Sequence, residues 1–370
     1  MPIVRLEGVT KSYGLVAALS TIDLQVHDGE FLTLLGPSGS GKTTVLNLIA
    51  GMIRPSGGRI FLRDIDVTDV PSSQRQLGMV FQNYALMPHM TIFENIAFPL
   101  RVRHVPGAEI RRRVAEVLDI VQLPNVAQRK PRELSGGQQQ RIAIARCLVY
   151  NPSIILMDEP LGALDRKLRE QLQLEIKRLH EQLGITMIYV THDQEEALVM
   201  SDRICLMNHG RIEQLDTPKQ LYFQPASVFA ARFLGESNIL SGTVAETHPT
   251  TTLHAAQDIV LQAAMPCPAP RGTPMNVLVR PESVAVLNAD DVAANELTGT
   301  VAEVIFVGGM TRYVIRLPGG PDLLVKQTAG RGTPTLVPGA SVRVGWSRED
   351  TILLPGSDTG TPSSYDSSHS

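Results

Sequence analysis

The sequence predicts an α/β protein, a parallel sheet covered by helices, followed by a smaller all-β domain. Three observations carry that expectation. An apolar run, "FLTLLG" (31–36), ends at glycine and leads through a glycine-rich loop into "KTTVLNLIAGM", which has helical spacing. From 153 to 210 the chain alternates strand and helix, the pattern of parallel strands joined by crossover helices. Near residue 236 the texture shifts to short segments rich in Thr, Val, Gly and Pro.

The elements follow in order. Residues 1 to about 85 read as strands and turns around one helix, with "GGRIFLRD" and "LGMVFQ" as further strands. Residues 88–150 change character. "AEIRRRVAEVLDIVQL" places Ile110, Val114, Val117, Leu118 and Val121 on one helical face, and "QQQRIAIARCLVY" is a second helix. Then come strand "SIILMD", helix "RKLREQLQLEIKRLHEQLG", strand "TMIYVT", helix "QEEALVMS" and strand "RICLMNHG". Beyond 236, "MNVLVR", "TGTVAEVIFVGG", "TRYVIRL", "DLLVKQ" and "ASVRVGW" suggest a small barrel or sandwich. The tail 355–370 is nearly free of apolar residues and is expected to be disordered.

Composition narrows the function. With 370 residues, 43% of them hydrophobic, the chain can bury two or three cores, and its net charge of −3 argues against a broad nucleic-acid-binding surface. No run of about 18 apolar residues is present to span a bilayer, and the N-terminus lacks the pattern of a secretory signal. Cys147, Cys205 and Cys267 are odd in number and widely spaced, with no zinc-like spacing to histidine, so three reduced thiols are expected.

The chemistry is concentrated at expected strand ends. "GPSGSGKTT" (36–44) fits G-x-x-x-x-G-K-[ST] between a strand and a helix, the context that confirms a phosphate-binding loop. Gly36, Gly39 and Gly41 allow the loop, which also holds Pro37, Ser38, Ser40 and Thr44, to wrap so that its backbone N–H groups point inward at phosphate oxygens; Lys42 adds a point charge and the Thr43 hydroxyl is placed to bind Mg²⁺. In "SIILMDEP" the strand ends in Asp158, a candidate carboxylate for the Mg²⁺ shell, and Glu159 is placed to polarise an attacking water. The alternative reading of such a pair, taken alone, is a solvated turn. "YVTHD" puts His192, and "VFQN" puts Gln82, at further strand ends, on the edge that a parallel sheet shares with the phosphate loop. "LSGGQQQR" (134–141) joins a serine N-cap to two glycines at a helix start, a second site suited to an anion.

In this order "GPSGSGKTT", "VFQN", "LSGGQQQR", "IILMDEP", "LGALD" and "YVTHD" resemble the ATP-binding cassette of ABC transporters, over residues 3 to about 236. The resemblance implies a P-loop NTPase (RecA-like) core with an antiparallel β subdomain and an inserted helical subdomain, about 88–150. It implies a cassette at 1–236 and a C-terminal domain at 237–354. It also implies roles: Tyr13 stacking on adenine; residues 36–44 holding ATP; Thr43, Gln82 and Asp158 serving Mg²⁺; Glu159 as general base; His192 as a γ-phosphate switch; and Asp165 communicating across a dimer. Many relatives carry Ser where this chain has Gly162. The signature, Ser135, Gly136, Gly137 and Gln138, would meet the ATP of a second cassette, in a homodimer or a pair with a similar chain.

"LVRPESVAV" (278–286) resembles the OB-like TOBE domain of importer cassettes. "RFLGESNILSGTV" and "VIFVGGMTRYVIRL" are similar to the polyamine (spermidine/putrescine) importers, although iron(III), sulfate, phosphonate and sugar importers share most of these features. The resemblance implies a peripheral protein on the cytoplasmic face of the inner membrane. It would pair with two membrane permease subunits, act indirectly with an extracytoplasmic substrate-binding protein and bind no nucleic acid. "YALMPHM" (84–90) would form a groove for a permease helix or a buried connection. A cassette ATPase acting on nucleic acid or ribosomes is the other class; those usually carry two cassettes or basic inserts.

Overall fold

The computed structural model describes residues 1–162, 164–255, 259–267, 269–330 and 336–356; the tail expected to be disordered lies outside them apart from residues 355 and 356. The chain divides into two compact units, Met1–Lys219 and Gln220–Ser370.

In the first unit, β1 (Pro2–Tyr13) and β2 (Val16–His27) form a hairpin and β3 (Phe31–Leu35) runs into α1 (Lys42–Ala50). Next come β4 (Gly57–Leu62), β5 (Ile65–Asp66) and β6 (Gly78–Val80), then the helices α2 (Ile92–Val102), α3 (Gly107–Ile120) and α4 (Gly136–Leu148). The alternating part follows as β7 (Ile154–Asp158), α5 (Arg166–Leu183), β8 (Thr186–Thr191), α6 (Gln194–Met200), β9 (Arg203–Asn208) and β10 (Arg211–Asp216). A six-stranded sheet has the order β10-β9-β3-β8-β7-β6, parallel except for the β10–β9 edge. A separate antiparallel sheet has the order β2-β1-β4-β5.

The period of two in a strand explains the two cores of this unit. Phe31, Ile155, Met157, Met187 and Tyr189 pack with the apolar faces of α2–α5. Their strand neighbours Leu32, Leu34, Ile154, Leu156, Ile188 and Val190 pack with α1 and the antiparallel sheet. The strands are therefore apolar on both faces, as a covered parallel sheet requires, and each such buried side chain contributes about 1.5–3 kcal/mol. The helical face read from Ile110, Val114, Val117, Leu118 and Val121 is buried in the first of these cores. Of "YALMPHM", Tyr84 is buried while Ala85, Pro88 and His89 face solvent, so the segment is not a buried connection. No described helix is long and apolar enough to cross a membrane.

The second unit opens with α7 (Pro218–Phe223), which spans the division, and α8 (Val228–Phe233). It continues with β11 (Asn238–Glu246), β12 (Thr251–Ala255), β13 (Val260–Ala263), β14 (Pro274–Val279), β15 (Ala285–Leu287), β16 (Asn295–Val307), β17 (Met310–Arg316), β18 (Asp322–Thr328), β19 (Ser341–Trp346) and β20 (Ile352–Pro355). Two five-stranded antiparallel sheets, β13-β12-β11-β14-β20 and β15-β19-β16-β17-β18, enclose one core around Leu240, Val277, Tyr313, Val325 and Val344.

Residues 220–236, given to the cassette by the change of texture near 236, lie here with the second unit. The reason is Arg280, only 2% exposed. Its guanidinium donates to the carbonyls of Tyr222 (2.7 Å) and Ala231 (2.9 Å) and to Ser237 Oγ (2.7 Å), and stacks on the Tyr222 ring. Val228 and Ala231 of α8 bury against Leu278 and Leu354. The three cysteines are buried and free. Burial pushes the Cys147 thiol up to about 11 and that of Cys205 to about 12, so neither is a nucleophile at neutral pH.

Candidate functional site: the C-terminal edge of the parallel sheet

The loop between β3 and α1 needs glycine for reasons of space and backbone. A Cβ on Gly36 would sit 2.2 Å from the Met207 carbonyl oxygen, and one on Gly41 2.5 Å from Leu19 Cδ2. Both take positive φ, as does Gly39. Gly41 is the N-cap of α1 and has no side chain to accept from the first helical amides, which leaves those donors for an anion. Pro37 and Thr44 are half-buried, Ser38 and Thr43 exposed, and Ser40 buried with its hydroxyl unpartnered. Lys42 is 5% exposed, and its Nζ donates to the carbonyls of Gly36 (2.8 Å) and Pro37 (2.9 Å). Burial pushes its pKa down, while the carboxylates of Glu159 and Asp158 hold it up.

Two carboxylates meet this loop from the end of β7. Thr43 Oγ1 donates to Asp158 Oδ1 at 3.1 Å. Burial pushes the Asp158 carboxyl up; the Thr43 hydrogen bond opposes it, the Glu159 charge adds to it, and Lys42 subtracts. This pair of hard oxygens, partly desolvated beside a lysine, suits Mg²⁺. Among the described residues no cluster of three His, Cys, Asp or Glu offers an alternative. Glu159 has φ 44°, rare for a non-glycine residue, and its amide donates to the Val190 carbonyl of β8 at 3.0 Å. Its Oε1 lies 3.3 Å from His192 Nδ1, just past β8. Gln82 is exposed in the turn after β6, with its Nε2 3.8 Å from where a Cβ on Gly162 would stand. Glu159 and His192 line a cavity of about 30 Å³. A larger cavity, about 130 Å³ between α3, α4 and α5, shares no lining residue with it and lies away from this chemistry.

The remaining candidates occupy other places. Tyr13 ends β1 with its ring half exposed, and Lys11 Nζ sits 4.9 Å from the ring centroid, anchored on the Arg54 carbonyl at 2.7 Å. Ser135 caps α4 in a capping box: its Oγ accepts from the Gln138 amide, and Gln138 Oε1 accepts from the Ser135 amide. A Cβ on Gly136 would lie 3.0 Å from Leu164 Cδ2, and one on Gly137 3.2 Å from both Leu168 and Leu172. Asp165 caps α5 by accepting from the Leu168 amide.

Three residues beside the site escape sequence reasoning: Arg169, Asp193 and Glu196. Glu196 is 3% exposed and accepts from Tyr189 and Thr191, each at 2.7 Å. Burial pushes its carboxyl up, against those two hydrogen bonds. The available signal is a glutamate on the inward side of the short helix "QEEALVM".

The ABC transporter family pattern matches residues 19–162, and that of the TOBE domain matches 277–354. The chain is similar to the spermidine/putrescine import ATP-binding protein PotA of Thermobifida fusca, 47% identical over 96% of this chain and 94% of that one. It is likewise similar to PotA of Rubrobacter xylanophilus, 47% identical over 95% and 94%. Among solved structures it resembles the dimeric ATP-binding cassette MJ0796 in a post-hydrolysis state with ADP and Pi. That match has a TM-score of 0.52 and 38% identity over 58% of this chain and 98% of that one. CbiO1 of Clostridium perfringens aligns with a TM-score of 0.56 and 28% identity, over 63% and 92%.

Proposed function

The chain belongs to the ATP-binding subunits of ABC transporters, and from that premise we propose that it hydrolyses ATP to energise polyamine uptake. The observation that carries the chemistry is the Glu159–His192 pair, standing beside the Thr43–Asp158 pair at one sheet edge. The polyamine assignment rests on likeness to the spermidine/putrescine import proteins along nearly the whole chain.

The residues divide the work. The 36–44 loop and α1 hold the phosphates by backbone amides, and Lys42 exchanges its own loop carbonyls for phosphate oxygens. Tyr13 offers an aromatic face to adenine. Thr43, Asp158 and Gln82 would hold Mg²⁺, which on binding neutralises charge developing on the phosphates. Glu159 orients the attacking water and takes its proton, and His192 holds Glu159 on one side and a γ-phosphate oxygen on the other. Ser135, Gly136, Gly137 and Gln138 of a second cassette close over that phosphate, with Asp165 at the seam, so ATP binds the two chains together. Cleavage removes the contact and lets them part. Two permease subunits would take up this motion at the cytoplasmic face of the membrane, with a binding protein delivering substrate from outside.

The test is reconstitution of the full chain with its permeases and binding protein in sealed vesicles. ATP-dependent accumulation of labelled spermidine or putrescine is the expected result. ATP-driven transport of another solute, with polyamines ignored, overturns the substrate; ATP-driven export overturns import.

A further inference from the structure

We propose that Arg169 is a positioning residue that holds His192 against Glu159 and ties this pair to the Leu164–Asp165 segment. The inference rests on the hydrolytic reading of Glu159 and His192 above, and it assigns the guanidinium a role that their own contacts do not supply.

Arg169 stands in the first turn of α5, and one side chain reaches both loops that matter. Its Nη2 donates to the Leu164 carbonyl at 3.0 Å, one residue before Asp165. Its Nη1 donates to Asp193 Oδ2 at 3.2 Å, one residue after His192. The other oxygen of Asp193 is already committed, capping α6 by accepting from the amides of Glu195 (2.8 Å) and Glu196 (3.2 Å). On its other flank His192 is held by Thr191. The Thr191 hydroxyl donates to the buried Glu196 and accepts from the Asp193 amide at 3.0 Å. Both neighbours of His192 are therefore fixed, one to a buried carboxylate and one to Arg169.

The contacts close into a ring. Glu159 touches His192 at 3.3 Å. The Glu159 carbonyl accepts from the Gly162 amide (3.3 Å), the Leu161 carbonyl accepts from the Leu164 amide (3.2 Å), and Arg169 then joins Leu164 to Asp193. His192 itself is exposed, with a side chain open to 57%, so its own packing does little to fix the imidazole. A planar guanidinium donating in two directions can hold two backbone segments at a set separation, which a lysine ammonium at the end of a flexible stem cannot. A displacement of Asp165 by a partner cassette would then move His192 relative to Glu159, so occupancy of one ATP site sets the rate at the other.

The test measures kcat, KM for ATP, the Hill coefficient and the melting temperature of the full chain in its permease complex. Arg169→Met is expected to lower kcat about 10–100-fold, the scale for a catalytic group displaced by about 1 Å. KM should stay within about 2-fold, the melting temperature should move little, and the Hill coefficient should fall towards 1, on the terms of site coupling. Arg169→Lys should recover only part of kcat. Asp193→Asn removes the same ion pair while keeping the oxygen that caps α6, and should reproduce the loss even if Arg169→Met does not fold. The double variant should be no slower than Arg169→Met alone, because that substitution already removes the contact to Asp193. Near-normal kcat in Asp193→Asn, or losses that multiply in the double variant, overturns the inference. A wild-type complex that hydrolyses no ATP overturns instead the hydrolytic reading on which it stands.

Discussion

Gly36 and Gly41 stand before α1, Gly136 and Gly137 at the start of α4, and the two pairs of glycines answer different demands. In the first loop the backbone requires them: φ is 152° and 101°, and a Cβ would enter the Met207 carbonyl or the Leu19 side chain. The loop is also self-sufficient in charge, with a buried lysine already parked on its own carbonyls. In the signature the glycines are helical, and the serine and Gln138 satisfy each other's amides in a capping box. What stands against Gly137 is α5, through Leu168 and Leu172. One region is therefore a binding loop whose shape is complete within the chain. The other is a packed helix start with an exposed serine, whose ligand comes from elsewhere in the proposed dimer.

The largest effect is expected at the base. Glu159→Gln should lower turnover about 10²–10⁴-fold, the usual scale for losing a general base, while ATP binding persists. It should also trap a nucleotide-bound dimer visible by size-exclusion chromatography in ATP. Turnover near wild type would remove Glu159 from the chemistry. Next in size is Lys42→Ala, which removes a charge preorganised in a desolvated loop. A loss of about 10²–10³-fold in kcat is expected, with weaker binding of a fluorescent ATP analogue. Unchanged binding would mean that Lys42 never leaves the Gly36 and Pro37 carbonyls.

Ser135→Arg acts on the signature rather than on the binding loop. An exposed serine at a helix start can take the larger side chain without unfolding α4, at the cost of a cap of about 1 kcal/mol. Each monomer should still bind ATP, but the dimer trapped in the Glu159→Gln background should be lost. A dimer that persists would place the signature outside the shared site.

How much of this was legible in the sequence follows the range of the interactions. Strand–helix alternation announced the parallel sheet because each element carries its own pattern. The P-loop residues, Asp158, Glu159, His192 and Gln82 were legible because each lies within a few residues of a strand end. The role of Arg169 was not, because its partners Leu164 and Asp193 come together only when β8 lies beside β7. Placement of residues 220–236 was hidden likewise. Its cause, Arg280, sits dozens of residues later and reaches back to the Tyr222 and Ala231 carbonyls. The sequence shows Gly137 as room for an anion; its packing against Leu168 and Leu172 is not legible there, because both belong to another helix.

The smallest effects separate the two signature glycines. Replacing a helical glycine by alanine stabilises by about 0.5–1 kcal/mol through the backbone, whereas overpacking a well-filled core costs about 1–3 kcal/mol. Gly137 is buried against Leu172, itself 1% exposed, so its added methyl must push two leucines of α5. Gly137→Ala should therefore lose about 1 kcal/mol net in denaturant unfolding, and lower turnover as well. Gly136 is half-buried and its methyl meets the tip of one partly buried leucine, which can swing aside. Gly136→Ala should leave stability within about 0.5 kcal/mol of wild type, since the propensity gain offsets the contact. Its cost should appear only in ATP turnover by the dimer, where a phosphate from the partner must approach the backbone. A loss of stability at Gly136 with unaltered turnover would make Gly136 a packing residue and remove its backbone from the second nucleotide's site.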